Sequence, residues 1–240
     1  MLYSPAANVA FAHYPKTAGC SMTAWFQAVF PEAAYVDPDN PHVPVRPSLE
    51  RLGLIGCPAA QPRLRRECLR IIRQLVPRLG ARREDCGVTI IGVVREPFEM
   101  LVSLYEYWRR CDFGDDPGGL VRTARTGTFR QFLEQAVGER QLANYHTHFD
   151  VGGPAWETTR LLDFQSLDPA LEAVCSELGL RAAGPLRRIN AAPQQRRDLG
   201  RYLAEAGGLV FEVRSHFRWY YEEATRIMIR GRQQPLLRAA

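Results

Sequence analysis

Apolar and polar positions alternate over residues 8–13 (NVAFAH), with Val9 and Phe11 on one side, which predicts a short strand. A loop over 14–20 follows, carrying Pro15 and Gly19. Met22, Trp25, Phe26 and Val29 then recur at helical spacing and predict a helix over 21–30. Residues 31–47 contain five prolines and read as an irregular surface loop. Leu64, Leu69, Ile72 and Leu75 mark a basic amphipathic helix over 63–79. Residues 88–94 (VTIIGVV) form an unbroken apolar run rich in β-branched side chains, the pattern of a strand buried on both faces of a parallel sheet. Arg95, Glu96 and Pro97 end it, and a helix to about Arg110 begins with Pro97 in its first turn. Residues 111–128 are rich in Gly, Asp and Arg and read as a mobile loop. A strand is expected at 161–164, then a helix capped by Asp168–Pro169 and stopped at Gly179. The last third reads as helical, with 209–229 its longest segment.

Strand–loop–helix units in this order predict an α/β fold with a central parallel sheet flanked by helices, as a single domain over 1–240. No run of 18 apolar residues occurs, so no membrane span is expected. The first dozen residues lack a basic and then apolar leader pattern, which points to a cytoplasmic location, and the expected source is bacterial. The six cysteines, Cys20, Cys57, Cys68, Cys86, Cys111 and Cys175, show no metal-binding spacing and read as free thiols.

Charge changes the picture more than composition does. The net charge is +5, favouring anionic partners. Of the 31 Lys and Arg residues only Lys16 is lysine. A chain that replaces lysine almost everywhere with the planar arginine fork retains one compact ammonium. It sits in His13-Tyr14-Pro15-Lys16-Thr17-Ala18-Gly19-Cys20-Ser21, between a strand and a helix. Helix-start amides and the helix dipole attract an anion there, Thr17 and Ser21 add hydroxyls, and Gly19 permits close backbone approach. The Walker A spelling GxxxxGK[ST] is absent. A second candidate is Arg95 at the carboxyl end of the buried strand, pointing to the crevice where α/β sheets bind ligands. Ser103 lies eight residues on; it shares a helix face with Glu99, Glu106 and Arg110, so the residues alone also fit a solvated serine.

Residues 14–21 (YPKTAGCS) resemble the 5′-phosphosulfate loop of the sulfotransferases that use 3′-phosphoadenosine 5′-phosphosulfate (PAPS), in their carbohydrate branch. Residues 93–105 (VVREPFEMLVSLY) resemble that family's 3′-phosphate motif. Fainter likenesses continue at 161–167 (LLDFQSL) and 178–190. The resemblance implies a P-loop-like three-layer fold and in-line transfer of a sulfuryl group from PAPS to a hydroxyl, on a carbohydrate acceptor. It implies that Pro15, Lys16, Thr17, Ala18, Gly19, Cys20 and Ser21 hold the 5′-phosphosulfate, with Lys16 catalytic at the bridging oxygen. Arg95 and Ser103 would hold the 3′-phosphate. Cys20 stands where many members carry Thr or Ser, and Gln165 where glutamate is common. No metal, nucleic acid or membrane enters this scheme.

An acceptor hydroxyl needs a general base, and His42 in the proline-rich loop is the first candidate, with Glu32, Asp37 and Asp39 as rivals. His13 is expected to pack locally. His146 and His148 could share a strand face, but no further ligand accompanies them. Two other functions remain open to the sequence: an ATP-using small-molecule kinase, and a non-enzymatic polyanion-binding module using the basic 63–83 region.

Overall fold

The computed structural model describes residues 1–56, 86–111, 119–180, 184–189 and 198–229. The predicted basic helix at 63–79, Cys57, Cys68 and Asn190 lie outside them. The sheet has five strands, β1 (Leu2–Ser4), β2 (Val9–Ala12), β3 (Ala34–Tyr35), β4 (Thr89–Val94) and β5 (Thr159–Asp163), in the order β3-β1-β2-β4-β5. β2, β4 and β5 are parallel, with Ala12 opposite Gly92 and Val94 opposite Asp163. β1 runs antiparallel to both β2 and β3, so the sheet is mixed and not wholly parallel. β1 forms a hairpin with β2, β3 joins it by non-local pairing, and strands this short leave no periodicity to read.

The apolar run of β4 is buried along nearly its whole length because both faces are covered. On one face Val9, Phe11, Ile91, Val93 and Leu162 pack against α1 (Gly19–Val29) and α7 (Leu167–Glu177). On the other, Ala10, Ala12, Ile90 and Val94 join α3 (Pro97–Arg110), α5 (Phe129–Leu133) and the C-terminal helices. The result is three layers, helix on sheet on helix. Gly92 is needed in β4, because a Cβ there would lie 2.4 Å from the Phe149 ring and 2.9 Å from Leu161.

Helix α3 has strong local reasons to start where it does. Glu96 caps it by accepting the Glu99 N–H at 2.7 Å, and Pro97 fits the first turn, where no N–H is needed. Such a cap is worth about 1 kcal/mol. Tyr221 donates to the other Glu96 oxygen at 2.6 Å and so ties the cap to the C-terminal helices.

Several expectations are corrected. The loop predicted over 111–128 contains α4 (Gly119–Thr126), an amphipathic helix buried through Ala124. The loop over 31–47 holds β3 and runs into α2 (Val45–Arg51). His146 and His148 lie not on a strand but on the short helix α6 (Tyr145–His148), capped by Asn144; His148 is buried and His146 exposed. The N-cap of α7 is Ser166, while Asp168 in its first turn accepts the Leu186 N–H at 3.0 Å. The segment over 209–229 is broken: after α8 (Leu199–Ala206), α9 (Leu209–His216) ends at Phe217, and a π turn over Tyr220–Ala224 leads into α10 (Thr225–Ile227). Among the described residues, no helix is long and apolar enough to cross a membrane.

Candidate functional site

The loops after β2 and β4 leave the same edge of the sheet, since these strands are parallel neighbours. The first is held in an unusual backbone shape. Lys16 and Ala18 both take positive φ, 61° and 62°, the left-handed region that costs a non-glycine residue roughly 1–2 kcal/mol. Three anchors hold it there. Thr17 is fully buried and donates its hydroxyl to the Tyr14 carbonyl at 2.9 Å. Tyr14 is buried too, donates to the Ala143 carbonyl, and packs against Tyr145 and His148 with ring centroids 4.6 and 4.9 Å away. His13 stacks on Phe11 at 5.8 Å.

Gly19 opens α1, and the reason a glycine stands there is visible. A Cβ at that position would lie 1.5 Å from Nε2 of His13. The imidazole fills the space that any other side chain would need. Ala18, the N-cap, offers no side-chain cap to the first amides of α1, and helix starts of this kind attract anions. Pro15 is half-buried in the loop and Cys20 is exposed at the second helical position. Ser21 is buried and its Oγ accepts the Ile189 N–H at 3.0 Å, bringing the 184–189 segment against the start of α1.

At the second loop Arg95 is largely covered. Its guanidinium lies 4.4 Å over the Phe164 ring, and Nη2 reaches Glu99 at 3.3 Å. Nε is buried and has no partner among the described residues, an orphan donor of the kind native structures seldom keep. The Arg95 backbone is fixed by Tyr145, whose hydroxyl donates to the Arg95 carbonyl at 2.9 Å and accepts its N–H at 3.3 Å. Ser103 is 3% exposed, so the solvated alternative does not hold. One turn further on α3, the Tyr107 ring carries the Lys16 ammonium at 3.8 Å from its centroid. Lys16 from one loop therefore meets the helix that the other loop begins.

His42 lies beside this edge. Its ring centroid is 4.3 Å from that of His13, and Nδ1 is 3.1 Å from the His13 carbonyl oxygen. A carbonyl only accepts, so Nδ1 carries the proton and Nε2 keeps a lone pair. Burial lowers the pKa of His42 below its ordinary 6.5, against the opposing pull of the His13 carbonyl. Burial, reinforced by His42, lowers His13 to about 3. Two of the rival carboxylates are engaged elsewhere: Glu32 accepts from Ser4, and Asp37 from Arg51 and from the Asp39 N–H at 3.1 Å. Gln165 is exposed on the turn beyond β5, next to the Phe164 that carries Arg95.

Sequence reasoning missed three supports of this site, Tyr14, Tyr145 and Tyr107. Tyr107 alone had a signal, standing four residues after Ser103 and so on the same helix face. Behind Tyr145 lies a separate cavity of about 260 Å³, lined by Asn144, His146, His216, Trp219 and Glu223; none of the predicted site residues lines it. Among the described residues, no three His, Cys, Asp or Glu side chains are grouped to hold a metal ion. No protein-family model, curated protein or solved structure matches the chain.

Proposed function

We propose that this chain is a PAPS-dependent sulfotransferase that moves a sulfuryl group to a hydroxyl, on a carbohydrate acceptor, within a P-loop-like fold. The observation that carries the reading is the approach of the two motifs: Lys16 rests on Tyr107, one turn beyond Ser103 on the helix that Arg95 leads into. Two cationic groups on one sheet edge suit an adenosine bearing phosphates at two positions. The orphan Nε of Arg95 gives the second loop an unmet demand for an acceptor, which a 3′-phosphate would satisfy.

In this reading Lys16 and the first amides of α1 hold the 5′-phosphosulfate and neutralise the charge that grows on the leaving phosphate. In-line group transfer of this kind depends mainly on positioning and on such charge stabilisation. Thr17 acts indirectly, because its hydroxyl is committed to the Tyr14 carbonyl and locks the loop. Arg95 and Ser103 bind the 3′-phosphate. His42, neutral and with Nε2 free of the tautomer-setting contact, takes the acceptor proton.

Thermal-shift measurements test this against the two rival classes. Adenosine 3′,5′-bisphosphate at a hundredfold excess over its Kd should raise Tm by about 5–10 °C, since such an excess adds about 2.7 kcal/mol. ATP and a short oligonucleotide should do much less. A larger shift with ATP would favour the kinase, and one with the oligonucleotide the polyanion-binding module.

A further inference from the structure

The cavity behind Tyr145 lies between the start of α6 and the chain that leaves α9. Trp219 caps the π turn over Tyr220–Ala224, and such wide turns are rare and recur at functional sites. The turn sets Trp219 and Glu223 together in the cavity lining. The aromatic walls are fixed before any ligand arrives. Tyr145 is 1% exposed, bonded through its hydroxyl to both backbone groups of Arg95, and packed on Phe217 with ring centroids 5.3 Å apart. Trp219 is 7% exposed and meets Trp156 edge-on at 5.6 Å. Its indole N–H is buried with no partner among the described residues, an unmet donor in the wall.

The polar groups of the lining include both donors and acceptors. Asn144 accepts the Thr147 N–H at 2.8 Å through Oδ1, which leaves its NH2 group to donate. His216 holds Nε2 2.8 Å from the Leu142 carbonyl oxygen; a carbonyl only accepts, so Nε2 carries the proton and Nδ1 accepts. Burial lowers the pKa of His216 below the ordinary 6.5, against the pull of that carbonyl, so the ring is neutral at neutral pH. Glu223 is exposed and adds a carboxylate, while the guanidinium of the lining, Arg218, is already paired with Glu222 at 3.5 Å. An anion here would face Glu223 with Arg218 engaged. A cation would leave the Asn144 and Trp219 donors without acceptors, and a plain apolar ring would strand the whole polar set. A hydroxyl both donates and accepts, so a ring bearing several of them answers this mixed set while its C–H faces lie on aromatic walls. At about 260 Å³ the cavity falls just below the roughly 300–1,000 Å³ of sites for drug-sized molecules, which suits one ring and not a chain. We propose that this cavity is a second binding site, for a single neutral sugar ring, apart from the Lys16 loop. It stands on its own lining, whatever the Lys16 loop holds.

The test is an NMR titration of the full chain, read at the indole N–H resonance of Trp219, which is assigned by its loss in Trp219→Phe. The methyl glycosides of glucose, galactose and mannose are added separately, with sodium acetate and methylammonium chloride as charged probes. Should Trp219→Phe not fold, calorimetry on the wild type and Glu223→Ala supplies the same affinities. The expected result is a saturable shift at millimolar concentration with at least one glycoside and none with either ion. Glu223→Ala alters an exposed side chain and should weaken that glycoside about tenfold, the loss for one hydrogen bond to a charged group. Adenosine 3′,5′-bisphosphate should leave the glycoside affinity unchanged. No shift with any of the three glycosides overturns the site, as does a larger shift with acetate or methylammonium, or a Glu223→Ala variant that binds the glycoside as the wild type does. Displacement of the glycoside by the bisphosphate overturns its separateness. A chain that binds the glycoside but not the bisphosphate keeps the sugar site and removes the nucleotide reading.

Discussion

The loops after β2 and β4 share one edge of the sheet and are built in opposite ways. The first stores backbone strain at Lys16 and Ala18, and its charge is a long side chain resting on an exposed ring. The second has an ordinary helix start, and its charge is clamped between Phe164 and Glu99 with only 13% of the side chain exposed. A site for the reacting end of a ligand needs a charge that can follow the group being transferred. A site for an unreactive end needs one that stays still. On the proposed reading, burial and strain divide the work: the strained first loop would serve the chemistry and the clamped second loop the recognition.

Breaking the first loop should have the largest effect. Lys16→Ala should lower sulfuryl transfer by at least about 10³-fold, near the upper range for losing one preorganised charge contact. Lys16→Arg should recover little, because a planar fork does not replace a point charge. A radiolabelled transfer assay reads both, and near-normal turnover in Lys16→Ala would erase the division between the loops. His42→Ala should cost about 10²-fold in kcat with little change in nucleotide affinity. The base must be unprotonated, and burial lowers its pKa, so the wild-type rate should begin to fall only below the usual imidazole pH of 6.5. An acid limb centred above 6.5 would contradict the assignment of His42.

Gly19→Ala sharpens the comparison from the structural side. The new methyl meets the His13 ring and should cost about 1–3 kcal/mol, seen as a Tm lower by several degrees. His13→Ala should relieve that cost in the double variant; additive losses would mean the imidazole is not what Gly19 accommodates. The smallest effect concerns pH. His13 and His148 are held near 3 by burial, against 6.5 in the unfolded chain. Between these values the unfolded state binds more protons, so stability is full above about 6.5 and declines as pH falls toward 3. His148→Phe should flatten the acid side of a Tm-against-pH curve without moving the neutral plateau.

Much of this architecture was legible from single segments. β4 announces itself by six consecutive residues that only a doubly covered strand tolerates, and α3 by Glu96 and Pro97, whose side chains specify a helix start locally. The α/β class and both loops follow from those signals. What escaped depends on distant partners. β3 exists because Tyr35 pairs with Leu2, and α9 stops at Phe217 because that ring packs into the core beside Tyr145. The same holds for the site. Lys16 and Arg95 could be named from residue type and position, and Ser103 only from the family resemblance. That His13 fills the space above Gly19, and that Tyr145 fixes the Arg95 backbone from 50 residues away, depends on tertiary contact alone.

The most direct measurement is calorimetric: the affinities of adenosine 3′,5′-bisphosphate and of AMP for the wild type, Lys16→Ala and Arg95→Ala. Lys16→Ala should weaken both nucleotides alike, since both carry the 5′-phosphate. Arg95→Ala should weaken the bisphosphate alone, by roughly tenfold to a hundredfold for one charge-assisted contact, and bring it to the level of AMP. Equal losses of both nucleotides in Arg95→Ala, or a wild type that does not distinguish them, would contradict the account.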